Sequence, residues 1–212
     1  MNYERMPLGA LQTNSFILWK DQKAIVIDPA GEAEKLAARL EELQVEVEAI
    51  LLTHAHFDHI GALEKVRKRW NCPVYLHEEE KDWLGDEKLN GSGLFPGIEK
   101  VSCSPADYHW EKEGVKQIGS FQFELLETPG HSPGSVTYYF SEEKTAFSGD
   151  VLFRGGVGRT DLPGGNHDVL LTSIHEKLLE LPEETLILNG HGPETTIMAE
   201  KETNPFINGF GW

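Results

Sequence analysis

The chain has 212 residues, 39% of them hydrophobic and 25% charged, which is enough to bury a sizeable core and too apolar for a disordered polymer. Nineteen Lys and Arg against 35 Asp and Glu give a net charge of -16, so a nucleic-acid backbone would be repelled, and no basic run offsets the overall field. No apolar stretch nears the roughly 20 residues of a membrane span, Met1 to Lys20 lacks the pattern of a signal peptide, and Cys72 and Cys103 are too few for a disulfide framework. The expectation is a cytoplasmic protein without nucleic-acid or membrane partners, its oligomeric state left open.

In chain order, Phe16 to Trp19 and Ala24 to Asp28 are short apolar runs around polar Lys20 to Lys23, which predicts a hairpin. Pro29 and Gly31 then break the run. Glu34 to Leu43 places Leu36, Ala37, Leu40 and Leu43 on one helical face, and Val47 to Leu52 follows as a buried strand. Ile60 to Trp70 reads as a helix and Pro73 to Leu76 as a strand. Gly85 to Asp107, rich in Gly and Pro, is expected to be a long surface loop of unassigned role. Phe121 to Glu127, Ser135 to Phe140 and Thr145 to Ser148 are predicted strands. A glycine-rich loop from Arg154 to Asn166, a helix over 168–181, a strand over 185–188 and a short C-terminal helix complete the chain. No break in composition divides it, so the expectation is one α/β domain over 1–212 with two similar halves.

The chemistry concentrates in His54-Ala55-His56-Phe57-Asp58-His59. With nine His and nine Asp in the chain, H-x-H-x-D-H arises by chance with a probability of about 0.0007, so the pattern calls for a functional account. His54 and His56, two apart at a strand end, point the same way, whereas Asp58 and His59 turn into the next helix and can serve a second centre. Imidazoles with a carboxylate suit zinc, and also iron or manganese, whereas calcium and magnesium favour oxygen cages. Two metals need more donors, and three follow predicted strands beside a glycine: His131, Asp150 and His191. His131 completes three histidines on one metal, His191 completes the other, and Asp150 bridges both. Asp28 is either an acceptor for a ligand histidine or a helix cap. Arg159, in the glycine-rich loop, is a candidate to meet an anionic group of a substrate. His77, His109, His167 and His175 read as ordinary core or surface histidines.

On these residues the chain resembles the metallo-β-lactamase fold superfamily, and within it the glyoxalase II-like hydroxyacylglutathione hydrolases. The resemblance rests on Ile27-Asp28-Pro29-Ala30-Gly31, the hexad, Pro129 to Ser135, Ser148-Gly149-Asp150 and Asn189 to Pro193, and the loop Gly155 to Asn166 is similar to that of short bacterial glyoxalase II-type proteins. It implies a four-layer αββα sandwich and two metal sites: His54, His56, His131 and bridging Asp150; then Asp58, His59, Asp150 and His191. The larger glyoxalase II enzymes add a C-terminal helical domain that helps grip glutathione. This sequence runs 21 residues past His191, so the thiol carrier stays open.

The implied reaction is hydrolysis of a small-molecule thioester, such as S-D-lactoylglutathione or another S-2-hydroxyacyl thiol, by a hydroxide generated on two divalent metals, with Asp58 orienting it. Two rivals stand beside it. One is a persulfide dioxygenase with a single iron on His54, His131 and Asp150; the other is a non-catalytic module stapled by metals. A β-lactam substrate is disfavoured by Asp150.

Overall fold

The computed structural model describes residues 1–208. The chain divides into two compact units, Met1–Glu111 with Gln117–Phe121, and Lys112–Lys116 with Gln122 onward. Among the described residues no helix is long and apolar enough to cross a membrane.

The first unit is built on a six-stranded mixed sheet in the order β1-β2-β3-β4-β5-β6. Its strands are β1 (Asn2–Leu8), β2 (Thr13–Lys20), β3 (Lys23–Ile27), β4 (Glu46–Leu51), β5 (Val74–His77) and β6 (Tyr108–Trp110). The predicted hairpin is β2–β3, with Lys20 opposite Lys23. Its two turn residues, Asp21 and Gln22, both have positive φ, the geometry that matches the twist of a two-residue hairpin. From β3 to β6 the strands run parallel, so each pair needs a crossover: α1 (Ala33–Glu42) links β3 to β4, α2 (Phe57–Ile60) and α3 (Leu63–Trp70) link β4 to β5, and a 3-10 turn with irregular chain links β5 to β6. Leu36 and Leu40 of α1 and Leu63 and Val66 of α3 belong to one buried cluster with Val26, Val47, Ile50, Val74 and Leu76. Each such side chain stabilises the unit by roughly 1.5–3 kcal/mol on burial.

The second unit carries the sheet β14-β13-β10-β9-β8-β7. These strands are β7 (Gly114–Ile118), β8 (Phe121–Glu127), β9 (Val136–Phe140), β10 (Thr145–Gly149), β13 (Leu186–Asn189) and β14 (Thr195–Thr196), and a small hairpin pairs β11 (Leu152–Phe153) with β12 (Gly156–Val157). The helices are α4 (His167–Ser173), capped by the Asn166 side chain on the Val169 amide, and α5 (Ile197–Thr203), capped by Thr196 on Ala199. Because β8 and β10 each lie antiparallel to β9, and β13 lies parallel to β10, the carboxyl ends of β8, β10 and β13 share one edge.

Several expectations need correction. The predicted helix from Ile60 to Trp70 is two helices, broken at Gly61 and Ala62, where the Ala62 amide donates to Pro29 O (2.8 Å) instead of continuing the helical ladder; only glycine fits at 61, since a side chain there would stand 2.3 Å from the Ala30 carbonyl. The helix expected over 168–181 is α4 followed by one wider π-type turn, Ile174–Leu178. The glycine-rich loop supplies the turn and second strand of the β11–β12 hairpin, and β1, β6 and β7 were not anticipated. Gly85 to Asp107 is irregular, yet not confined to the surface. Asn90 and Ser92 are buried, Asn90 Nδ2 donates to the Val101 carbonyl (2.9 Å), and Cys103 and Ala106 join the core cluster. Side-chain hydrogen bonds stand in for a ladder there, which leaves no periodicity to read.

Candidate metal centre

In the first unit the site grows from parallel pairing. β3 and β4 run side by side, so Asp28, just past the end of β3, meets Thr53 and His54, just past the end of β4. Ligand sites gather at such carboxyl edges. Asp28 sits in a left-handed backbone conformation (φ 49°), pinned by its own amide to Leu51 O and by Ser15 Oγ to its carbonyl. Its Oδ1 accepts the Thr53 amide (2.8 Å), and its Oδ2 accepts Thr53 Oγ1 (2.6 Å) and faces His59 Nδ1 at 2.9 Å. With the Thr53 hydroxyl hydrogen given to Asp28, its oxygen receives His54 Nδ1–H at 3.1 Å. One carboxylate therefore fixes the tautomer of two histidines, leaving Nε2 of each as the metal-binding nitrogen.

The ligand atoms of His54 and His56, of His54 and His59, and of Asp58 and His59 each lie within 4.8 Å of one another. The His54 ring meets His56 edge-on at 4.7 Å and His59 at 4.1 Å. Thr13, at the start of β2, donates to Asp58 Oδ2 at 2.7 Å and orients that carboxylate. The three histidines are buried, and Asp58 is nearly so.

In the second unit, His131 follows β8, Asp150 follows β10 and His191 follows β13, all at the shared carboxyl edge. The Gly190 amide donates to Gly149 O (2.9 Å) and ties the ends of β10 and β13 together. Asp150 Oδ2 consequently lies 3.3 Å from His191 Nε2 and 3.7 Å from His131 Nε2, placing the carboxylate between two imidazoles. His131 Nδ1 donates to the Arg159 carbonyl (2.7 Å), again leaving Nε2 for a metal. Gly158 passes close by: a side chain there would stand 1.9 Å from Asp150 O and 3.2 Å from His131 Cβ.

The seven predicted donors thus form two clusters, His54, His56, Asp58 and His59 in one unit and His131, Asp150 and His191 in the other. Their chemistry fits divalent metal ions: buried imidazoles with their Nδ1 protons directed to oxygen acceptors, beside carboxylates. Asp28 acts as an acceptor for a donor histidine, and the α1 cap falls on Glu32 instead. Arg159 is engaged through both its side chain and its backbone. Its guanidinium forks onto Asp161 (2.7 Å on each arm), holding that carboxyl down to about 2, while its backbone carbonyl serves His131. Thr13, Thr53 and Glu80, which the sequence did not single out, complete the surroundings; the signal for Thr53 was its place before His54.

A model of the metallo-beta-lactamase superfamily matches residues 8–191, a stretch that includes all seven donors. Over 210 residues the chain is 56% identical to the probable metallo-hydrolase YqgX of Bacillus subtilis (strain 168), covering 99% of each. It is 41% identical to the hydroxyacylglutathione hydrolase GloC of Haemophilus influenzae, covering 98% of this chain and 99% of that one. Among solved structures it is similar to the crystal structure of BLEG-1 B3 metallo-beta-lactamase, with a TM-score of 0.95 and 50% identity over 97% of this chain and 99% of that chain. The expected α/β fold is the fold of this relative. With the donor set in place and a family model spanning most of the sequence, the chain belongs to the metallo-β-lactamase superfamily and is a metal-dependent hydrolase.

Proposed function

We propose that the protein hydrolyses a thioester of the S-2-hydroxyacyl type, such as S-D-lactoylglutathione, to a carboxylic acid and a free thiol. The observation that carries this reading is the full seven-donor set with Asp150 set between two imidazoles, in a chain 41% identical to a hydroxyacylglutathione hydrolase over nearly its whole length. In this reading the seven donors hold divalent cations, with zinc the metal proposed. When bound, such cations supply an acidified water and a polarised carbonyl oxygen.

The chain's own groups do the rest. Asp28 and Thr53 keep His54 and His59 in the Nε2-donating form, and the Arg159 carbonyl does so for His131. Thr13 fixes Asp58, which orients the attacking water towards the carbonyl carbon. No Ser or Cys nucleophile is called for: Cys72 and Cys103 are both buried, and burial pushes their thiols up to about 11. Free thiols and the strongly acidic balance support a small-molecule enzyme of the cytoplasm.

A second reading, β-lactam hydrolysis, is favoured by the 50% identity to a B3 metallo-beta-lactamase. One assay separates them. Zinc-supplemented protein is given S-D-lactoylglutathione with a thiol-reactive chromogen, and in parallel a chromogenic cephalosporin, with His54→Ala as control. Thiol release that His54→Ala lowers by at least about 100-fold supports the proposal. Cephalosporin turnover without thiol release would transfer the assignment to the second reading. Silence on both, with zinc bound, would leave the persulfide dioxygenase, read by oxygen uptake with glutathione persulfide on iron-loaded protein.

A further inference from the structure

The hexad is gripped from behind by a group outside the donor set. Glu80 ends the short 3-10 turn Glu78–Glu80 that follows β5, and it has no exposed surface. Its Oε2 accepts the amide hydrogen of Ala55 at 2.6 Å, and Ala55, itself fully buried, is the residue between His54 and His56. The same turn is tied to the site a second time. The Trp83 amide donates to the Glu80 carbonyl (2.9 Å), and the buried Trp83 indole lies against the His56 imidazole, 5.9 Å between centroids.

A carboxyl group taken wholly out of water is costly unless its oxygens are engaged, and Oε2 of Glu80 is engaged at the amide between the two histidines. The consequence is geometric. The two imidazoles hang from the residues flanking Ala55, and a rotation of the backbone there swings both rings at once. A short N–H···O contact from a buried side chain restrains the peptide group it holds. We propose that Glu80 is a positioning residue of the metal centre: it locks the backbone between His54 and His56 and so holds both Nε2 atoms at the separation one cation requires. This rests on the reading that His54 and His56 hold a metal, and not on the identity of the substrate.

The test is zinc affinity, measured by competition with a chelating indicator, together with the visible spectrum of cobalt(II)-loaded protein, for wild type, Glu80→Ala, Glu80→Asp and Glu80→Gln. Thermal unfolding of each metal-free form is the control for folding. Glu80→Ala has no acceptor and Glu80→Asp withdraws it by one methylene, so both are expected to lose about 10- to 100-fold in zinc affinity with altered cobalt bands. Glu80→Gln keeps an oxygen at full reach and is expected to fall between them and wild type. A purely structural role predicts a lower unfolding temperature with zinc affinity and cobalt bands unchanged, and that result overturns the proposal. So does Glu80→Gln binding no better than Glu80→Ala. If Glu80→Ala does not fold, Glu80→Asp against Glu80→Gln decides. Wild-type protein that takes up no zinc or cobalt would overturn the metal reading itself, whereas tight zinc binding without thioester hydrolysis would leave Glu80's role standing.

Discussion

Asp28 carries three donors on two oxygens: the Thr53 amide, the Thr53 hydroxyl and His59 Nδ1. Asparagine has nearly the same shape but offers one oxygen and one NH2, which would point donor at donor. Asp28→Asn is therefore expected to weaken zinc binding by about 10- to 100-fold, checked by chelator competition. The two cysteines give a residue-scale prediction of another kind. Burial raises both thiols to about 11 from an ordinary value of 9.0. The folded chain thus holds these protons more tightly than the unfolded one, so the associated stability is complete below pH 9 and is lost as pH rises towards 11. At pH 8 a disulfide reagent should leave native protein unlabelled and modify two thiols after denaturation; rapid labelling of native protein would contradict the burial.

At the scale of elements, α5 anchors the β11–β12 hairpin. Buried Glu200 accepts Thr195 Oγ1 (2.5 Å), the Gly155 amide (2.9 Å) and Asn204 Nδ2 (2.7 Å), and Asn204 also reaches the Gly156 carbonyl. Beyond that hairpin the chain passes Gly158 and presents the Arg159 carbonyl to His131. Glu200→Ala leaves three donors without their acceptor and is expected to destabilise the protein by about 3 kcal/mol, measured by urea unfolding. Elements with a strong apolar signal were legible: α1 buries Leu36, Ala37 and Leu40 at helical spacing, and β4 ends in the buried run Ala49 to Leu51. β1 was not, since only Met6 and Leu8 of its seven residues are buried and Pro7 interrupts it. Gly85 to Asp107 escaped for a different reason: its packing depends on Asn90, Ser92 and Val101 meeting through side chains, and no periodic pattern encodes that.

For the molecule as a whole, each unit has an apolar cluster of its own. Removing metal with a chelator is expected to abolish hydrolysis while the far-UV circular dichroism stays native, with a lower unfolding temperature because the folded state loses a ligand. Collapse of the dichroism on chelation would revive the metal-stapled module. The seven candidate donors stand out in the sequence because His54, His56, His131, Asp150 and His191 follow strands and Asp58 and His59 come just after, in α2. Of their supports, Asp28 was legible as one of two alternatives, whereas Thr13, Thr53 and Glu80 were not. Asp28 lies 25 residues before Thr53, and Thr13 lies 45 before Asp58, and only the strand order brings these pairs together.

The left-handed backbone at residue 28 also restricts the alphabet available there. Glycine is comfortable at that φ but brings no oxygen; asparagine tolerates it and brings one; valine, isoleucine and threonine are excluded by their branching at Cβ. Aspartate satisfies both the torsion and the three donors. Random drift can respell the strands around it through many apolar synonyms, while position 28 has a vocabulary of one word.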